Sequence, residues 1–111
     1  MSVLLIDDDD DALSLLQMML RRRGITSHTA RNLTEARAVL NDGVAIDVIV
    51  TDLELGDGED GLMLHPDSVG KVSRFVVLTG RTSVAAPPDV VVLQKPVDVS
   101  ALLEAMGHAP T

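Results

Sequence analysis

Short apolar runs alternate along the chain with stretches in which apolar residues recur at helical spacing. This alternation is typical of βαβ units that build a parallel sheet, so it predicts an α/β fold. The second apolar run is more polar than the others, which favours a sheet edge, and the last three are apolar enough for buried central strands. The predicted strands are residues 3–6, 25–29, 46–51, 75–78 and 90–93.

Three helices are predicted from the same pattern. Each has a recognisable start or stop, because capping side chains and glycine mark helix ends. The predicted helices are residues 12–23, stopped by Gly24; a helix through Leu40, opened by a capping box of Asn32 and Glu35; and a last helix, capped by Asp98 and ended by Gly107.

Two connections between the predicted strands are unusual. The ten residues 80–89 include Pro87 and Pro88, which leaves little room for a crossover helix and its loops. Residues 61–74 contain Pro66, which disfavours helix at His65. Both crossovers are therefore predicted to be short or irregular.

Composition narrows the class of protein. With 111 residues and 46% hydrophobic content, the chain is long enough for one domain with a single core. Its net charge of −8 disfavours direct nucleic-acid binding, and its first apolar run is too short for a membrane span. The absence of cysteine fits a reducing cytoplasm. Residues 108–111 are expected to be a frayed tail or the start of a linker.

Five polar side chains stand where apolar runs end. They are Asp7, Asp8, Asp52, Thr79 and Lys95. The carboxyl ends of parallel strands meet at one edge of the sheet, where α/β folds bind ligands, so these side chains are expected to converge there. A strand order of 2-1-3-4-5 places the three aspartates at the point where the order reverses.

These residue types suit phosphoryl chemistry. Clustered carboxylates repel one another unless a cation neutralises them, and Mg²⁺ accepts oxygen ligands while keeping positions for phosphoryl oxygens. A carboxylate can act as a nucleophile and form an acyl phosphate. Lys95 would offset the charge on the transferring group, and Thr79 would bond one of its oxygens.

Asp7-Asp8, Asp52, Thr79 and Lys95-Pro96, each at a strand end and in this order, resemble the receiver domain of bacterial two-component response regulators. The resemblance extends from Val3 to about Met106. It implies a flavodoxin-like, doubly wound, five-stranded parallel sheet of order 2-1-3-4-5, with the receiver domain spanning residues 1–107.

The resemblance also implies roles for individual residues. Asp52 would accept a phosphoryl group from a sensor histidine kinase or phosphotransfer protein. Asp8, Asp52 and the backbone carbonyl of Glu54 would ligate Mg²⁺, and Asp7 would assist through water. Lys95 would contact the phosphoryl group, across a cis bond to Pro96, and Thr79 would move as the switch. Such a cytoplasmic domain catalyses only its own phosphoryl transfer and autodephosphorylation, and it signals to an output domain or a downstream protein.

Three positions depart from the family's pattern. Val92 stands where receivers usually carry an aromatic switch residue, and Gly56 stands where a proline is common. Residues 80–89 are too few for the usual fourth helix. These departures leave open a pseudo-receiver that signals by binding alone, without phosphorylation.

Two further interpretations are weaker. A small aspartyl-phosphate hydrolase would need a second aspartate two residues after Asp52, where Glu54 stands. Residues 56–61 match the GxGxxG pattern of dinucleotide sites, but Asp57, Glu59 and Asp60 would repel a pyrophosphate. The three histidines share no spacing typical of metal ligands.

Overall fold

The structure of the chain is a computed structural model that describes residues 1–107, so the tail predicted at 108–111 lies outside the described residues. Five strands form one parallel sheet of order β2-β1-β3-β4-β5, which confirms the predicted fold class and strand order. The strands are β1 Ser2–Ile6, β2 Thr26–Ala30, β3 Val48–Asp52, β4 Arg74–Thr79 and β5 Val90–Gln94.

Within residues 1–107, four helices and one 3₁₀ turn accompany the sheet. The helices are α1 Asp10–Arg21, α2 Leu33–Asn41, α3 His65–Ser68 and α4 Val99–Ala105, and the 3₁₀ turn is Gly61–Leu64. None of the helices within residues 1–107 is long and apolar enough to cross a membrane.

The core has two layers, one on each face of the sheet. Alternate side chains of β1 separate between them: Val3 and Leu5 face α1 and α4, whereas Leu4 and Ile6 face α2 and the 3₁₀ turn. β1, β3 and β4 are buried on both faces because helices or turns cover each side. The central strands therefore hold their carboxyl ends, and the polar residues that follow, on a rigid base.

Helix ends follow from local capping. α1 begins two residues earlier than predicted, because Asp9 occupies the N-cap and accepts a hydrogen bond from the Asp11 N–H at 3.0 Å. The capping box before α2 is present in part: Asn32 accepts from the Glu35 N–H at 2.8 Å, but the Glu35 carboxylate accepts from the Arg31 N–H. At α4 the N-cap residue makes no side-chain hydrogen bond to the helix.

Two predictions were wrong: the burial of β5 and the conformation of His65. β5 is an edge strand, and its four apolar residues, Val90 to Leu93, are only half-buried. The sequence predicted a buried central strand from the run of β-branched residues. The prediction was wrong because such a run has the same composition whether or not a helix covers the strand. His65 was predicted to be non-helical, yet it opens α3, because a proline is tolerated in the first turn of a helix.

The β4–β5 connection, residues 80–89, contains no helix, as predicted. Within this connection, Val84 is the apolar side chain that packs against the core layer on the α2 side of the sheet. At its far end, His65 Nε2 lies 3.0 Å from Asp89 Oδ2, and the His65 ring packs edge-on against Phe75. A short segment with one apolar contact and one side-chain pair thus stands where a crossover helix is usual.

Candidate functional site

Three carboxylates meet at the carboxyl edge of the sheet. Asp7 and Asp8 follow β1, and Asp52 is the last residue of β3. One oxygen from each carboxylate lies within 4.8 Å of the others. Asp7 is buried, Asp8 is exposed and Asp52 is intermediate. This donor set fits a hard divalent cation, because such ions take carboxylate oxygens and can keep water on the open side.

Asp7, the buried carboxylate, is the one whose charged form is disfavoured by its surroundings. Burial raises the pKa of Asp7 above its usual value, although the Asp9 N–H, which donates to it at 3.0 Å, opposes this effect. The negative charges of Asp52 and Asp8 raise the pKa further, while Lys95 lowers it. The ionised cluster therefore carries repulsion that a bound cation would relieve.

We expect Asp7→Asn to stabilise the metal-free domain against urea at pH 7. The raised pKa means that the folded protein favours the neutral, protonated form of Asp7. The stabilisation that this proton provides is complete below about pH 4 and is lost as the pH rises through the pKa of Asp7 in the folded protein. The gain from the substitution should therefore shrink towards zero as the pH falls to about 4. Both this variant and the control variant Asp11→Asn are measured in EDTA. A gain in the free energy of unfolding that stays the same at every pH would contradict the explanation.

Lys95 and Thr79 complete the site from the other two strand ends. Lys95 Nζ lies 3.1 Å from Asp52 Oδ2, and the Lys95-Pro96 bond is cis, as the resemblance implied. Thr79 is buried, and its Oγ1 accepts a hydrogen bond from the Arg81 N–H at 3.1 Å. The Lys95 N–H donates to the Thr79 carbonyl at 2.7 Å, which ties the ends of β4 and β5 together. The structure thus brings together four of the five predicted side chains, Asp7, Asp8, Asp52 and Lys95, and places Thr79 at the end of the neighbouring strand β4.

Glu54 lies beside the cluster, two residues after Asp52. Its backbone N–H is 3.3 Å from Asp52 Oδ1, and its carboxylate Oε1 accepts from Arg81 Nε at 3.0 Å. The expected contact of its backbone carbonyl with a metal stays a prediction. The ion pair with Arg81 was not predicted from the sequence, because nothing in a lone arginine after a strand indicates its partner.

The loop after β3 is a hydrogen-bonded turn. The Glu59 N–H donates to the Gly56 carbonyl at 2.9 Å, and Glu59 Oε1 accepts from the Leu33 N–H at the start of α2. Gly56 has φ +79°, a conformation that proline cannot adopt because its ring fixes φ near −65°. This backbone explains why the chain carries glycine where receivers commonly carry proline.

Gly61 lies very close to the backbone and side chains at the end of β3. Its N–H donates to the Leu53 carbonyl at 2.8 Å, which draws the loop onto β3. A Cβ at this position would lie 2.6 Å from Thr51 Oγ1 and closer still to the Asp52 carbonyl oxygen. This close approach was not predicted, since pattern alone does not distinguish one of the chain's eight glycines from the others.

Comparison with known proteins agrees with this geometry. The family model of the response regulator receiver domain matches residues 3–106. The match covers nearly the whole chain, and the chain therefore belongs to the response regulator receiver domain family. A search among curated protein sequences found no match.

Solved structures with the same fold include several receiver domains. A response regulator from Burkholderia pseudomallei, solved with a phosphorylated aspartic acid, calcium ion and citrate, is 29% identical with a TM-score of 0.81, over 95% of this chain and 65% of that one. The receiver domain of the hybrid histidine kinase CckA is 25% identical with a TM-score of 0.78, over 94% of each chain. A receiver protein from Sinorhizobium medicae is 23% identical with a TM-score of 0.82, over 96% and 90%.

Proposed function

We propose that this receiver domain is a phosphorylation-competent switch in a two-component phosphorelay, with Asp52 as the phosphoacceptor. The observation that carries the proposal is the position of Asp52, which lies between the Lys95 ammonium on one side and the carboxylates of Asp7 and Asp8 on the other. Lys95 Nζ is 3.1 Å from Asp52 Oδ2, while Asp7 and Asp8 present oxygens to the same cleft. Positive charge beside a nucleophilic carboxylate favours the reaction, because the incoming phosphoryl group is itself anionic.

Asp7, Asp8, Asp52 and the Glu54 carbonyl are the proposed holders of Mg²⁺. Receiver domains typically bind a divalent cation at such an aspartate cluster, and the Burkholderia relative contains calcium. When bound, the cation would supply positive charge beside the phosphoryl oxygens and relieve the repulsion among the carboxylates. The exposed side of Asp8 leaves a route by which the cation can enter from solvent.

The chain's own residues have distinct roles in the proposed transfer. An Asp52 carboxylate oxygen attacks the phosphorus of the donor, and the bond from phosphorus to the donor's leaving group breaks, which gives an acyl phosphate. The Lys95 ammonium, freed from its pairing with one Asp52 oxygen, bonds the transferred group. The Thr79 hydroxyl keeps its bond from the Arg81 N–H and can donate its own proton to a phosphoryl oxygen.

The proposed phosphodonor is a sensor histidine kinase or a phosphotransfer protein. Support comes from an apolar groove beside the site, between α1 and the segment after Lys95, that includes Leu15 and Leu16. Leu15 is 53% exposed although it is a large apolar residue, and Met18, one turn later, is 45% exposed. A partner that covers these side chains would bring its phosphoryl group to the edge of the sheet that carries Asp52.

The proposal is tested by incubating the chain with acetyl phosphate and measuring its intact mass. The expected result is a gain of one phosphoryl group when Mg²⁺ is present and no gain in EDTA. Urea unfolding in both buffers provides the control that the protein is folded in each case. A folded, unlabelled protein in Mg²⁺ would refute the proposal.

One observation favours the pseudo-receiver as the second candidate. Val92 is half-buried on an edge strand, and the connection before it contains no helix within the described residues. Absence of labelling, together with no stabilisation of the domain by Mg²⁺, would make a module that signals by binding alone the better conclusion. The intact set of Asp52, Thr79 and Lys95 favours the phosphorylated switch.

A further inference from the structure

Arg81 is linked to the phosphoacceptor site at two points. It lies two residues after Thr79, and its backbone N–H donates to Thr79 Oγ1 at 3.1 Å. Its side-chain Nε is 3.0 Å from Glu54 Oε1, and the Glu54 N–H in turn lies 3.3 Å from Asp52 Oδ1. Arg81 therefore joins the segment that follows β3 to the segment that follows β4, and both links lead to residues of the proposed phosphoryl site.

The ion pair between Arg81 and Glu54 is easily exchanged. The two side chains are 62% and 64% exposed, and exposed ion pairs contribute little free energy. A phosphoryl group on Asp52 would carry about 1.5 to 2 negative charges in place of the single charge of the carboxylate, and so would add negative charge close to this pair. It would repel the Glu54 carboxylate and offer the guanidinium two parallel N–H···O bonds, which arginine prefers over a single contact.

The connection that carries Arg81 is free to follow such an exchange. Residues 80–83 are exposed, and Val84 is the first residue of the connection to contact the core. The far end is held separately, because the His65 ring bonds Asp89 and the Val90 N–H donates to the Pro87 carbonyl at 3.0 Å. A displacement of Arg81 would therefore move residues 80–83 without unfolding the sheet.

We infer that Arg81 is a positioning residue that couples phosphorylation of Asp52 to the β4–β5 connection, by exchanging Glu54 for the phosphoryl group. The inference rests on the proposed function of Asp52. The Thr79 hydroxyl acts in the same direction, since its movement towards the phosphoryl group pulls on the Arg81 backbone N–H. Residues 80–83 are then the surface that differs between the two states, in a chain that carries Val92 in place of an aromatic switch residue.

The test is hydrogen exchange of the whole chain with and without acetyl phosphate, in Mg²⁺. Peptides that cover residues 80–86 are followed, and exchange is scaled to the phosphorylated fraction from intact mass. In the wild type, phosphorylation should slow exchange in this segment by about two- to fivefold, the size of change that one exposed ion pair can produce. In Arg81→Ala the phosphorylated protein should show clearly less slowing than the wild type, because only the Thr79 bond to the backbone N–H of residue 81 remains.

Two further variants separate coupling from a structural effect. Arg81→Lys should restore part of the slowing, because lysine keeps the charge but not the planar fork of donors. Arg37→Ala removes a similarly exposed pair, with Asp67 at 2.9 Å, that lies outside the site, and it should behave as the wild type.

Each outcome bears on a different statement. A labelled wild type without slowing, or a labelled Arg81→Ala that slows as much as the wild type, would overturn the coupling and leave Asp52 as the phosphoacceptor. A folded wild type that gains no phosphoryl group would overturn the proposed function and the coupling with it.

Discussion

Asp52→Asn is expected to abolish phosphoryl incorporation while the domain stays folded. A carboxamide lacks the anionic oxygen that attacks phosphorus, so no acyl phosphate can form at this position. The substitution is close to isosteric, and an amide oxygen can still accept from the Glu54 N–H that now lies 3.3 Å from Asp52 Oδ1. Labelling by acetyl phosphate in Mg²⁺, read by intact mass, is the measurement.

The control for Asp52→Asn is Asp67→Asn, which removes an exposed carboxylate that pairs with Arg37. It should be labelled as fully as the wild type. Circular dichroism and urea unfolding establish whether each variant is folded. Undiminished labelling of folded Asp52→Asn would mean that another carboxylate, Asp7 or Asp8, accepts the phosphoryl group.

Gly61→Ala is expected to destabilise the domain by about 2–3 kcal/mol, the upper part of the usual range for overpacking. The new Cβ would lie 2.6 Å from Thr51 Oγ1 and would also press on the Asp52 carbonyl oxygen, so backbone must shift. β3 is buried between two core layers and cannot yield, which leaves the loop to move away. The 2.8 Å bond from the Gly61 N–H to the Leu53 carbonyl would be lost or lengthened.

Gly80→Ala is the matched control, because a Cβ at Gly80 meets nothing within 4 Å and its φ is not in the left-handed region. It should leave stability unchanged or raise it by about 0.4–1 kcal/mol, through the lower entropy of the unfolded chain. Urea midpoints of both variants against the wild type decide the matter. Equal midpoints for the two variants would show that the close approach at Gly61 carries no energetic cost.

The fold and the convergence of Asp7, Asp8, Asp52 and Lys95 were predictable from local signals. Apolar runs predicted the strands, and the polar residues at the ends of four of the five runs predicted the site, because parallel strands bring their carboxyl ends to one edge. Asp52, Thr79 and Lys95 were found in this way without any knowledge of side-chain direction. The capping residue Asn32 marked the start of α2 for a similar reason, since a cap acts over only three residues, whereas α1 begins two residues before its predicted start.

What the sequence did not predict depends on contacts between distant segments. The Arg81–Glu54 pair and the close approach of Gly61 to β3 both join residues that no local rule relates. The half-buried state of β5 depends on whether a helix covers it, and a valine run has the same composition in either case. The helical start at His65 was missed because Pro66 is favourable at the first turn and unfavourable one turn later.

The difference in burial between the central strands and β5 divides the site into two parts of unequal local stability. The three carboxylates follow β1 and β3, which are buried on both faces, whereas Lys95 follows the half-buried edge strand. Local opening begins where burial is least, so fluctuations that detach β5 withdraw Lys95 from Asp52 and leave the carboxylate cluster assembled. On the proposed function, a bound cation would therefore stay in place while the Lys95 contact with the phosphoryl group opens and closes, and the edge of the sheet would set the lifetime of that contact.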